Sequence, residues 1–178
     1  ANGGFIETSA AHVQIATEAN ITTHAENGNT GTWLIDPTDF TIAAGSGAQT
    51  TSSIGADTLA ANLASNNVQI QTIATNTGTE KGDINVNAEV AWSSNNNLTL
   101  TAHNDININH SITATGATAK LILEYGQANV AASNTATYNV NAKVNLQAGD
   151  NFSTRLGNDG TATEYKVITA LGVAGSTT

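Results

Sequence analysis

The sequence predicts an all-β fold, a parallel β-solenoid of three faces with one short helical insertion, on three observations. Apolar residues alternate at period two in short triplets, the triplets recur at 22 or 23 residues, and aromatic residues make up only 4% of the 178-residue chain. Alternation marks strands buried on one side. A fixed recurrence of this length is about one turn of a three-faced solenoid, in which each strand lies over its equivalent one turn earlier. Strands of four to six residues would also suit an antiparallel sandwich. A sandwich has no reason to keep such a period, and its core normally holds more rings than a narrow stack of Val, Ile, Leu and Ala.

The triplets run in order through Val13/Ile15, Val68/Ile70, Ile84/Val86, Leu98/Leu100, Ile106/Ile108, Leu121/Leu123 and Val144/Leu146. Leu98, Leu121 and Val144 are each 23 residues apart and Ile84 and Ile106 are 22 apart, so these are read as equivalent positions on successive turns. Ser93–Asn97, His103–Asp105, Ala114–Gly116 and Ala148–Asn151 carry the residues that make corners. The stretch 43–67 lacks alternation and is predicted to be an insertion holding a short helix. Asp57 would cap it, Leu59 and Leu63 would share one face, and Asn66 and Asn67 would end it in a left-handed conformation. Tyr165–Leu171 reads as a further strand or helix before a small-residue tail, Gly172–Thr178. Length and pattern together predict one domain over 1–178.

Five Lys and Arg against fourteen Asp and Glu give a net charge of −9. Nucleic acid and anionic membranes require clustered cations, so neither is expected as a partner. No apolar run reaches the roughly 18 residues of a membrane span. The absence of Cys removes disulfides, thiolate metal sites and thiol nucleophiles, and suits an exported chain. Ala1–Phe5 lacks the basic start of a signal peptide, which reads as a piece of a larger mature protein.

Side chains that could carry chemistry are few. His12, His24, His103 and His110 include one candidate metal set, His103 and Asp105 with His110, but the spacing fits no specific zinc pattern and all four read as exposed corner residues. Asp83 and Asp105 begin equivalent strands and could form the carboxylate pair of a glycosidase, against the simpler reading of turn carboxylates that accept backbone amides. A polysaccharide lyase would need a base, and Arg155, the sole arginine, lies far from Asp105 and Glu89. No nucleophile triad, cofactor motif or phosphate loop is legible, so no catalytic residue, cofactor or metal is expected and the chain is read as a non-enzyme. Trp33 and Trp92 could stack on sugar rings or plug the core. Asn20, Asn97, Asn109 and Asn151 match the N-glycosylation acceptor pattern. Thr99 and Thr101 with Gln69 and Gln71 form outward rows too short and mixed for an ice-binding array.

Four segments carry a resemblance: GGFIETSAAHVQI from Gly3, GTWLIDPTDFTIAAG from Gly31, DTLAANLASNNVQIQT from Asp57 and GDINVNAEVAW from Gly82. In that order they resemble the filamentous-haemagglutinin type of exoprotein secreted by the two-partner pathway, and EYKVITALGVAGSTT resembles a junction between modules of such proteins. The resemblance implies a right-handed parallel β-helix, location outside the cell or at its surface, and roles in attachment or biofilm. It implies glycosylation at some Asn-x-Ser/Thr sites in similar adhesins. The chain lacks a recognisable secretion or receptor-binding module, so its expected role is a structural shaft that extends and presents binding regions. Neighbouring coils or subunits end to end, and surface glycans or proteins, are the expected partners. A self-assembling subunit of an extracellular filament is the alternative, and a carbohydrate-active β-helix a weaker one.

Overall fold

The computed structural model describes residues 1–46, 52–74 and 79–168. The chain forms β1 (Phe5–Ser9), β2 (Thr32–Asp36), β3 (Phe40–Ala43), β4 (Ser53–Gly55), α1 (Ala56–Leu63), β5 (Asn67–Gln71), β6 (Ile84–Val86) and β7 (Val90–Trp92). It continues through β8 (Leu98–Thr101), β9 (Ile106–Ile108), β10 (Ile112–Ala114), β11 (Leu121–Tyr125), β12 (Tyr138–Val140), β13 (Val144–Asn145), β14 (Gly149–Leu156) and β15 (Thr163–Val167). The described residues are mostly β, in three sheets. The first has the order β1-β2-β5-β8-β11-β14-β15, the second β12-β9-β6-β3-β4 and the third β13-β10-β7. Three successive passes visit them in the same rotation: β5-β6-β7, β8-β9-β10 and β11-β12-β13. Pairing is parallel between all of these passes, whereas β15 returns antiparallel on β14.

Alternation decides which side chains face inward. Val68, Ile70, Ile84, Val86, Leu98, Leu100, Ile106, Ile108, Leu121 and Leu123 are all buried in one apolar cluster with Val90 and Ile112. β-branched residues suit these short pleated segments. Each fully buried Leu or Ile contributes about 1.5–3 kcal/mol relative to exposure.

The expected period holds only where the turns are short. Ile84 pairs with Ile106, Val90 with Ile112 and Leu98 with Leu121, offsets of 22, 22 and 23. Beyond Leu121 it fails: Val144 lies beside Ile112 in the third sheet, and Phe152 takes the place expected for Val144. The loop 126–137 is the reason, since it delays every later strand. The corner expected at Ala148–Asn151 is also corrected, because residues 149–151 already belong to β14.

The insertion is partly strand. β4 lies between β3 and the segment around Gln14 and is parallel to both, pairing Ser53 with Thr41 and with Gln14. Leu59 and Leu63 are buried as expected. Asp57 is exposed in the first turn and is not the cap: Gly55 holds the N-cap position with no side-chain cap bond. Asn66 and Asn67 are not left-handed. Instead Asn62 and Asn66, one helical turn apart, act as two inserted peptide groups. Asn62 Oδ1 accepts from Ile21 N (2.8 Å) and its Nδ2 donates to Ala19 O (2.7 Å); Asn66 Oδ1 accepts from Thr23 N (2.6 Å) and its Nδ2 donates to Ile21 O (2.8 Å). The helix thereby satisfies an extended segment of the first pass as a strand would.

At the other end β15 covers the edge of the first sheet, with Tyr165 tilted on Phe152 at 5.2 Å. The second and third sheets end at β12 and β13, where Tyr138, Val140, Val144, Leu146 and Phe152 line an apolar cavity of about 270 Å³. Val144 and Leu146, expected to be fully inward, are only partly buried there. Of the segments expected at the C-terminus, residues 169–171 and the tail Gly172–Thr178 lie outside the described residues, as do 47–51 of the insertion. No helix among the described residues is long and apolar enough to cross a membrane.

Candidate functional site

Turn length builds a large concavity on one side of the molecule. Between the first and second sheets the chain takes twelve residues after β5 (72–83), four after β8 (102–105) and twelve after β11 (126–137). Described residues of these three connections line a cleft of about 770 Å³. His103, Asn104 and Gly126 are lining residues from the middle of the cleft, Glu80 and Lys81 belong to the first long turn, and Asn129 and Ser133 to the second.

Local chemistry holds both walls. Gly82 has φ +79° and packs against the His103 side chain so closely that a Cβ would collide with it. Thr72 Oγ1 donates to Gly82 O (2.7 Å) and accepts from His103 N (3.2 Å), tying the first turn to the cleft floor. In the second turn Gly126 has φ +66°, and Asn134 bridges the loop by donating to Gly126 O (2.8 Å) and accepting from Ala136 N (3.1 Å). Asp159 Oδ1 accepts from Ala131 N (2.7 Å) and braces that wall from the following turn.

Beneath the cleft runs a carboxylate ladder. Asp39 Oδ1 accepts from Asp83 N (2.8 Å), Asp83 Oδ1 from Asp105 N (3.0 Å), and Asp105 Oδ1 from Thr137 N (2.7 Å). Each carboxylate takes the amide of its own equivalent one pass later. Asp83 and Asp105 are therefore stacked, as their 22-residue spacing implies, and both accept backbone amides. Asn67, the first residue of β5, and Asn97, just before β8, repeat the device, accepting from Asn97 N (2.9 Å) and Lys120 N (3.0 Å). On the outer face of the second sheet, Asn85, Asn107 and Asn139 form one amide ladder and Asn87, Asn109 and Asn141 another.

The other residues singled out by the sequence are dispersed. His12, His24 and His110 are exposed, and His103 is half-buried. No group of three or more His, Cys, Asp or Glu converges among the described residues. Trp33 and Trp92 are 1% and 5% exposed, so neither offers a ring face to a sugar. Their indoles donate to Thr8 Oγ1 (3.1 Å) and Asn96 O (2.9 Å) from within the core. Asn151 is buried with its amide nitrogen donating to Ala117 O and Gln147 O. Asn109 is engaged in its ladder and Asn97 in its cap, whereas Asn20 is exposed. Arg155 is held by Glu124 through Nη2 (2.8 Å) and Nε (3.0 Å), and Glu124 also accepts from Thr101.

Two features are not announced by the sequence pattern. His12 Nδ1 lies 3.4 Å from Ser52 Oγ and 3.9 Å from Glu80 Oε1, a contact among three separate passes that no local pattern signals. The cleft does leave a trace: Ile70 to Ile84 and Leu123 to Tyr138 are long gaps on either side of the short one from Leu100 to Ile106.

Several groups without an internal partner among the described residues lie in the cleft. Lys120, Arg155 and Lys166 form ion pairs with Glu164, Glu124 and Asp150. Lys81, in the cleft wall, makes none among the described residues, and neither the His103 ring nor the side-chain amides of Asn129 and Asn158 bond to any of them. No known protein family, curated protein or solved structure matches this chain.

Proposed function

We propose that the three sheets are the faces of a right-handed parallel β-helix and that this β-helix is a shaft segment of a secreted bacterial surface adhesin of the filamentous-haemagglutinin type. Its task is to extend and present binding regions in attachment or biofilm, outside the cell or at its surface. The observation that carries the reading is the constant rotation β5-β6-β7, β8-β9-β10, β11-β12-β13, tied from pass to pass by the Asp and Asn ladders. Such an array can lengthen one pass at a time. The test is to duplicate residues 93–115. A folded protein longer by about 4.8 Å, the spacing of neighbouring strands, is expected from scattering. Loss of cooperative unfolding in the duplicated chain overturns the reading.

The apolar cavity at β12 and β13 favours a second reading, a subunit that associates end to end into a filament. Val140 is 48% exposed there, and a strand from another copy would cover it. Light scattering over a concentration series decides: growth with concentration supports it, and a monomer at the highest concentration removes it.

A further inference from the structure

We propose that the cleft over His103 binds a saccharide of low charge density, one carrying a single carboxylate among hydroxyl groups, such as a short oligosaccharide with one uronate residue. The inference is independent of the shaft reading. The cleft volume, about 770 Å³, falls within the range of small-molecule sites. The lining sets polar side chains beside four alanines and Val130, so the ligand must offer both hydrogen-bonding groups and C–H surface, as a sugar ring does. The uncommitted groups then specify which. The Lys81 ammonium is one charge donor, the His103 ring a donor or acceptor, and the Asn129 and Asn158 amides offer both functions to neighbouring hydroxyls. Glu80 shares the wall, but its carboxylate already accepts from Thr38 Oγ1 (3.0 Å) and lies by His12. One unpaired ammonium among the described residues of the cleft suits a single carboxylate. A chain of net charge −9 repels a densely sulfated polyanion, which would bring many charges for one partner.

The test is an amide-resolved NMR titration of the full chain with an aldotriouronic acid, a trisaccharide with one uronate residue, its methyl ester, a heparin-derived tetrasaccharide and a glutamate tripeptide. Saturable shifts around Lys81, His103, Asn129 and Asn158 are expected with the aldotriouronic acid, with binding at least fivefold weaker for the ester. Lys81→Gln weakens binding of the aldotriouronic acid at least fivefold, Lys81→Arg retains it, and the thermal midpoint is unchanged because Lys81 is exposed. The proposal is overturned by an absence of shifts at millimolar ligand, by equal binding of the ester, or by indifference to Lys81→Gln. Tighter binding of the heparin fragment, or equal binding of the acidic peptide, also overturns it.

Discussion

The pass through β8, β9 and β10 and the pass through β11, β12 and β13 carry the same kind of apolar triplet, yet they differ in burial. Leu98, Leu100, Ile106, Ile108 and Ile112 are fully buried, whereas Val140 is 48% exposed and Val144 and Leu146 only partly covered. The earlier pass has strands on both sides in all three sheets. The later one is followed in the first sheet by β14 alone. A triplet therefore encodes a strand and its inward face, while the depth of burial comes from what the neighbouring pass supplies.

Charge placed at the two positions should give unequal results. Leu100→Asp buries an unpaired carboxylate between covered passes and is expected to cost about 4 kcal/mol, read as a large drop in the urea midpoint. Val140→Asp at the open mouth should cost less than about 1 kcal/mol. Comparable losses at both would break the comparison.

The first pass offers a sharper variant, because a helix rather than a strand covers it there. Asn62→Ala leaves Ile21 N and Ala19 O without partners and is expected to cost about 2–3 kcal/mol. Hydrogen exchange should accelerate at Ile21 more than at Leu100; unchanged protection at Ile21 would remove the amide bridge from the account. Gly82→Ala tests the wall of the cleft. Its φ of +79° and contact with His103 predict a loss of about 1–2 kcal/mol together with amide shifts at His103. A neutral Gly82→Ala would mean that the long turn is not pinned there.

The smallest effect concerns Asp36 in β2. Its Oδ1 is buried without a hydrogen-bond partner among the described residues, and burial, then the charge of Glu7, raises its pKa above the ordinary carboxylate value. The folded state thus holds this proton more tightly than the unfolded one, so this group's contribution favours folding at low pH and diminishes as pH rises through the shifted value. Asp36→Asn is expected to raise the thermal midpoint slightly at pH 7, with the gain vanishing below the ordinary carboxylate pKa. A gain independent of pH would exclude titration as its cause.

Much of this architecture is legible in the order of the amino acids. Period-two alternation locates the strands around Val68, Ile84, Leu98, Ile106 and Leu121, and Asp83 stacks with Asp105 as their spacing implies. The failures share one cause, since pairing partners are chosen across loops whose length the local pattern does not weigh. Val144 keeps a 23-residue spacing from Leu121 yet joins the third sheet, and β4 inserts itself beside β3 from within a stretch without alternation. Trp33 and Trp92 have the chemistry of sugar platforms and the environment of core residues. The cleft is legible only as a contrast of gap lengths, because its side chains come from turns far apart in sequence.

Sequence alone determined the strand-forming segments, their inward faces and the shortage of cations, because these depend on side-chain alternation and on a count of charges. Tertiary structure decided which strand lies beside which, that Asn62 and Asn66 stand in for backbone, and that Lys81 stays unpaired among the described residues of the cleft. Those outcomes depend on how far each turn carries the chain before the next strand docks, and on which polar groups are left over once every pass has satisfied its neighbours.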